Sequence, residues 1–171
     1  MVDLLEPTPA RKVVFEAWGK PQPAGSKRAF PIRRKAGGGW VLTGQVAVTD
    51  DNPKAKGWQA EVRECAELAM LRAFGPEPEL FRGPLGLAVV FWLRRPKGHY
   101  GKGRNAGVVK ASAPAHPVVK PDCTKLLRAV EDACTGVVWG DDAQIVEQAA
   151  TKVYAGREGV RMVVWSYDGD A

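Results

Sequence analysis

Asp122, Asp141 and Asp142 fall within one short stretch, Lys120 to Ile145, which reads KPDCTKLLRAVEDACTGVVWGDDAQI. Thr124, Lys125 and Arg128 lie between them. Carboxylates are oxygen-only ligands, and such ligands select hard cations such as Mg2+ or Mn2+. Cations of this kind activate water and neutralise phosphoryl charge. Three acids beside cations, in a basic chain, therefore point to metal-assisted attack on a phosphodiester. On this reading Asp122, Asp141 and Asp142 are the metal ligands. Arg128, or Lys125 beside it, stabilises the charge of a phosphorane-like transition state. Thr124 offers a hydroxyl that orients water. Each acid also has an ordinary role: Asp122 as a helix N-cap, Asp141-Asp142 as a turn, Asp132 as the i,i+4 partner of Arg128. Their joint occurrence in one stretch favours the metal site.

The element that must carry these residues is a helix. At about 100° per residue, Cys123, Leu126, Leu127, Val130, Ala133 and Cys134 fall within about 120° of one another, as a buried face requires. Thr124, Lys125, Arg128, Glu131 and Asp132 take the other side. Pro121 before the helix and Gly136 after it are suitable start and stop residues. An acid at its start is stabilised by the exposed N–H groups and the macrodipole. Val137-Val138-Trp139, a short strand or turn, then delivers Asp141-Asp142.

The stretch resembles the signature of the RusA family of Holliday-junction resolvases, small endodeoxyribonucleases often carried by phages. That signature reads approximately D-x-D-N-L-x-K, then D-A-L, then W-x-D-D-x-Q-[IV]. Its first acid falls on Asp122, its leucine on Leu126, its basic residue on Arg128 and its later aspartate on Asp132. The closing acids fall on Asp141 and Asp142, followed by Gln144 and Ile145. The second acid of the signature falls on Thr124, and its asparagine on Lys125; both are departures. Thr124 brings an oxygen without a negative charge. The resemblance implies an α+β fold, a homodimer, and a magnesium-dependent endonuclease that resolves four-way DNA junctions in recombination, repair or phage DNA processing. Two sites related by a two-fold axis would face two symmetric strands of a junction.

Composition sets the outer bounds. A chain of 171 residues with a 45% hydrophobic fraction is one ordinary domain with a real core. Residues 1–10 read as a loose, flexible terminus, and 11–171 as the single endonuclease domain. No run approaches the ~18 apolar residues of a membrane span. The start lacks the pattern of a secretory signal. Three cysteines argue against a disulfide framework. A reduced, cytoplasmic protein is expected. Zinc is a poor reading, because no Cys-x-x-Cys occurs and His99 and His116 lack paired spacing.

The formal net charge is +6 and it is unevenly spread. Between Arg11 and Lys35 there are eight basic residues against Glu16 alone; between Arg94 and Lys125 there are eight against Asp122 alone. Two dense clusters, one leading straight into the acidic stretch, fit a polyanion. Candidate nucleic-acid contacts are Lys27, Arg28, Arg33 and Arg34 in the first cluster, with Lys97, Lys102, Arg104, Lys110 and Lys120 in the second. Phe30, Trp40 and Tyr100 stand close by and suit stacking on unpaired bases, although core packing is the first expectation for Trp40. Two rival readings are a junction-binding protein impaired in catalysis by Thr124, and a basic RNA-binding module whose acids are only caps and turns. The lack of a G-x-x-x-x-G-K-[ST] loop argues against a housekeeping phosphotransferase.

Periodicity and punctuation give the remaining elements. A strand is expected over 12–18, then an exposed basic loop or hairpin arm, then a short strand pair or edge strand from Trp40 to Val48. Asp50 to Pro53 reads as a cap or turn. A helix follows over 54–74, with Trp58, Val62, Cys65, Ala66, Ala69 and Met70 at helical spacing. LGLAVVFWL, 85–93, reads as the central strand. The long loop 96–121 reads as an arm embracing DNA. Closing strands are expected over 144–154 and 160–167. The sum is α+β: a single domain with a mixed sheet of about four or five strands and two main helices.

Overall fold

A computed structural model describes residues 11–25, 27–50 and 52–167. The expected flexible stretch 1–10 lies outside the described residues, as does Asp51. Two helices cover one face of a four-stranded mixed sheet, and a separate two-stranded ribbon stands apart from that sheet.

The sheet contains β1 (Lys12–Trp18), β4 (Leu85–Arg94), β5 (Ile145–Ala155) and β6 (Gly159–Ser166), in the order β1-β6-β4-β5. The ribbon pairs β2 (Lys27–Ala36) with β3 (Gly39–Asp50). The helices are α1 (Pro53–Phe74) and α2 (Cys123–Cys134). β6 runs antiparallel to both β1 and β4, while β5 is parallel to β4. A parallel pair needs a crossover, and α2 provides it.

Alternation decides which sheet face is dry. Val13, Phe15 and Ala17 of β1, Leu85, Leu87, Val89 and Phe91 of β4, and Val160, Met162 and Val164 of β6 are all buried against the helices. One rung of the ladder runs Phe15, Met162, Val89, Ala150 across all four strands. From α1 come Trp58, Val62, Ala66 and Met70, spaced by four so that they share one stripe. From α2 come Leu126, Ala129, Val130, Ala133 and Cys134. Fully burying each large apolar side chain contributes about 1.5–3 kcal/mol.

Asn52 caps α1, its side chain accepting from the Lys54 N–H at 3.2 Å. Gly75 ends that helix at φ 91°. The long segment 96–121 is folded rather than structureless. It contains two one-turn 3-10 helices and small bridges between Tyr100 and Val109 and between Gly101 and Ala106. Arg95 ties it down, donating to the Pro114 carbonyl at 2.8 Å while lying 4.1 Å over the Tyr154 ring.

Trp40 corrects the sequence expectation. It is 66% exposed rather than part of the core. The reason is topological: among the described residues β3 pairs only with β2, outside the sheet that forms the core.

Candidate active site and nucleic-acid interface

α2 holds one group of site residues at each end. Asp122 takes the N-cap position, with φ −70° and ψ 141°, and its carbonyl accepts the first helical bond from Leu126 at 3.1 Å. Its side chain makes no capping hydrogen bond, so the exposed carboxylate is available for another purpose. It opens into a cleft of about 330 Å³ shared with Lys20, Gln22, Lys120 and Lys125. One acid among three lysines makes a cationic setting. Two contacts hold this end of the helix in place. Ala24 donates its N–H to the Lys125 carbonyl at 2.8 Å, and Lys152 of β5 donates to the carbonyls of Val119 and Pro121 at 3.1 and 2.9 Å.

The other end carries the aspartate pair. Thr135 is the C-cap of α2, and its hydroxyl donates to Asp142 Oδ1 at 2.6 Å. The Trp139 indole N–H donates to the same oxygen at 2.8 Å. Trp139 is fully buried, so the carboxylate hangs from a rigid anchor. Asp141 caps a 3-10 turn, Asp142–Gln144, accepting from the Ala143 N–H at 2.8 Å. Gln144 completes the brace. Its side-chain oxygen accepts from the N–H groups of Gly140 and Asp141, and its amide donates to the carbonyls of Phe81 and Gly83. Arg63 of α1 donates to the carbonyls of Ala133 and Thr135, supplying a cation to the helix C-terminus.

Glu131 belongs to this second group. Burial pushes its carboxyl above the usual glutamate range, and the nearby negative charges of Asp142 and Asp132 push the same way, against Arg128. Gln148 of β5 donates to it. The sequence reading missed Glu131, Thr135 and the anchoring role of Trp139. Their signals are the one-turn offset from Glu131 to Thr135 and the tryptophan three positions before Asp142.

Between the ends, Thr124, Lys125 and Arg128 are exposed on α2. Asp132 accepts from Gln59 of α1 at 3.4 Å, which ties the two helices together. Twelve residues of α-helix span about 18 Å. Asp122 and the Asp141–Asp142 pair therefore stand too far apart to share one ion, whose oxygens lie about 2.0–2.1 Å away in the case of Mg2+. Among the described residues, no three His, Cys, Asp or Glu side chains come together as a metal site. The oxygen-only chemistry suits a hard cation; the arrangement within one chain does not gather the three acids around it.

The basic residues fall on two surfaces. Arg33 and Arg34 are exposed on β2, and Lys27 and Arg28 begin the same strand, with side chains outside the described set. Lys97, Lys102, Arg104, Lys110 and Lys120 are exposed along 96–121. Lys120 joins the Asp122 cleft. Lys110 donates to the Gly98 carbonyl at 2.8 Å, so it also helps close its own loop. No helix among the described residues is long and apolar enough to cross a membrane.

A family model described as endodeoxyribonuclease RusA matches residues 23–164, which takes in the ribbon, both helices and both ends of α2. The search of curated proteins found no match.

Proposed function

Because the chain belongs to the RusA family of endodeoxyribonucleases, we propose that it cuts branched DNA, four-way junctions first among them, with the help of a divalent cation. The observation that carries this reading is the anchored Asp142. Two hydrogen bonds fall on one of its oxygens, from Thr135 and Trp139, and its charge acts on nearby Glu131. Carboxylates crowded together in this way repel one another, and a hard cation relieves that repulsion.

Mg2+ or Mn2+ is the proposed cofactor, and its proposed ligands fall into two groups, Asp141 and Asp142 at the end of α2 and Asp122 at its start. Within one chain a single ion cannot take all three, because α2 stands between the two groups. The roles of the other residues follow from their positions. Lys20, Lys120 and Lys125 around Asp122 bind a phosphate. Arg128, one turn further along α2, neutralises charge that builds up on a neighbouring phosphoryl group. Thr124 orients water with its hydroxyl. Lys97, Lys102, Arg104 and Lys110 hold the phosphate backbone away from the site, as do Lys27, Arg28, Arg33 and Arg34 on β2. A homodimer completes the proposal, giving paired cuts on two strands.

The test is incubation of the purified protein with labelled four-way junction and with linear duplex, with and without Mg2+ or Mn2+. Cutting of the junction alone, dependent on the cation, supports the proposal. Tight junction binding without cutting under any condition would instead identify a binding protein of the same fold. Equal affinity for duplex RNA and branched DNA would favour the RNA-binding module. Sedimentation at twice the 18.5 kDa chain mass tests the dimer.

A further inference from the structure

The β2–β3 ribbon is built unlike the rest of the molecule. Among the described residues its strands pair only with each other, and the two-residue turn Gly37-Gly38 at its tip has φ values of 58° and 81°, the left-handed region that primed hairpin turns need. An isolated two-stranded hairpin is at best marginally stable in water. This one also leaves Phe30, Trp40, Val41, Leu42 and Val46 exposed, with Trp40 the most exposed at 66%. Trp40 stands at the tip directly across from Lys35, whose ammonium lies 5.7 Å from the indole centroid. Arg34 and Arg33 face Val41 and Leu42 on the next two rungs.

Charge chooses the occupant of this surface. β2 carries Lys27, Arg28, Arg33, Arg34 and Lys35, while β3 carries only Asp50, at the end remote from the tip. Two copies of so cationic a ribbon repel each other; a polyanion does not. A two-stranded ribbon fits the DNA major groove. An exposed aromatic ring with a cation beside it suits a base that has lost its stacking partner. Such bases are cheapest to capture where pairing is already broken, as at a branch point.

We propose that the ribbon tip is the device that reads the branch. Trp40 stacks on an unpaired base at the junction centre, while Arg33, Arg34 and Lys35 hold the phosphates on either side. This rests on the reading that the substrate is branched DNA. It assigns the preference for branched over linear DNA to a surface separate from both ends of α2.

The experiment compares wild type, Trp40→Ala and Trp40→Phe for binding to a four-way junction and to linear duplex of the same sequence, in EDTA so that nothing is cut. Trp40→Ala should weaken junction binding by roughly 5- to 100-fold, the range for losing one base stack. Duplex affinity should stay within about two-fold, and Trp40→Phe should recover most of the loss, because it restores a stacking face. The slope of log K against log salt should not change, since no phosphate contact is lost. Unchanged junction binding overturns the proposal, and so does an equal loss on both substrates. A drop from dimer to monomer in Trp40→Ala also overturns it, by assigning the ribbon to a second copy of the chain. If wild type itself binds junctions no better than duplex, the functional reading fails and the role of the ribbon tip fails with it. Failure of the ribbon tip's role alone appears as wild type and Trp40→Ala discriminating equally well.

Discussion

Among the described residues, Asp142 takes its hydrogen bonds on one oxygen, from Thr135 and Trp139. Asp142→Asn keeps an oxygen that can accept both bonds, so the turn should survive while the negative charge is lost. Cutting of a four-way junction should fall by more than about 100-fold while junction affinity holds or rises, because repulsion from the phosphates is relieved. Wild-type cutting rates in this variant would remove Asp142 from the site. Glu131 gives a second prediction, for metal-free protein. Its folded-state affinity for a proton is raised, first by burial and then by Asp142 and Asp132. The stability it contributes is therefore complete below the ordinary glutamate range of about 4.3 and is lost as pH rises through the elevated folded value. Glu131→Gln keeps an acceptor for Gln148 but has no charge to bury. In EDTA its Tm should match wild type near pH 4 and exceed it increasingly towards pH 7. A gap that narrowed with rising pH would show the opposite sign of coupling.

At the scale of elements, α2 separates a lysine-lined cleft at its start from an acidic turn at its end. Apolar spacing alone indicated this helix, and its expected face is buried at Leu126, Leu127, Val130, Ala133 and Cys134, while Cys123 in the first turn is only half-buried. What spacing does not reveal is how the ends are held, because Arg63, Lys152 and Gln148 reach α2 from other elements. The segment 96–121 makes the same point. Its glycines, prolines and lysines read as an arm, yet main-chain bonds such as Gly101 to Val108 at 2.8 Å fold it on itself. Lys102 and Arg104 stay exposed on that folded segment. Replacing both with alanine should flatten the slope of log K against log salt by about 1.8, at about 0.9 per phosphate contact. Junctions of unrelated sequence should lose affinity by similar factors. An unchanged slope would take this segment off the phosphate backbone, and a loss confined to one sequence would indicate base readout.

For the whole molecule, the sheet face away from the helices is closed in its own way. Trp18 stacks on Trp92 at 4.9 Å, Arg157 lies 4.3 Å over the Trp18 ring, and Glu16 pairs with Arg161 at 3.8 Å. Trp165 lies across Gly86 of the central strand, where an added Cβ would meet the indole at 2.0 Å. The ring is too large to yield cheaply, and β4 is bonded on both sides. Gly86→Ala should therefore cost about 1–3 kcal/mol, as overpacking does. Adding Trp165→Ala should return part of that loss, since the two changes share one space. Denaturant midpoints of the single and double variants measure this. Additive losses would mean that the strand moves instead of the ring.

Sequence alone determined the family signature, both helices, the central strand and the cationic character, because each depends on residues close together in the chain. Spacing of apolar side chains sets a helix face or a strand locally, and charge needs no fold to be counted. Only the tertiary structure decided where those elements leave their chemistry. Asp122 and Asp142 are near in sequence, yet a helix of 12 residues stands between them. Glu131 lies on the polar side of that helix but becomes a perturbed acid only when the chain brings Asp142 back beside it. Trp40 has the composition of a core residue and the position of a surface one, because burial belongs to the sheet a strand joins and not to the side chain it carries.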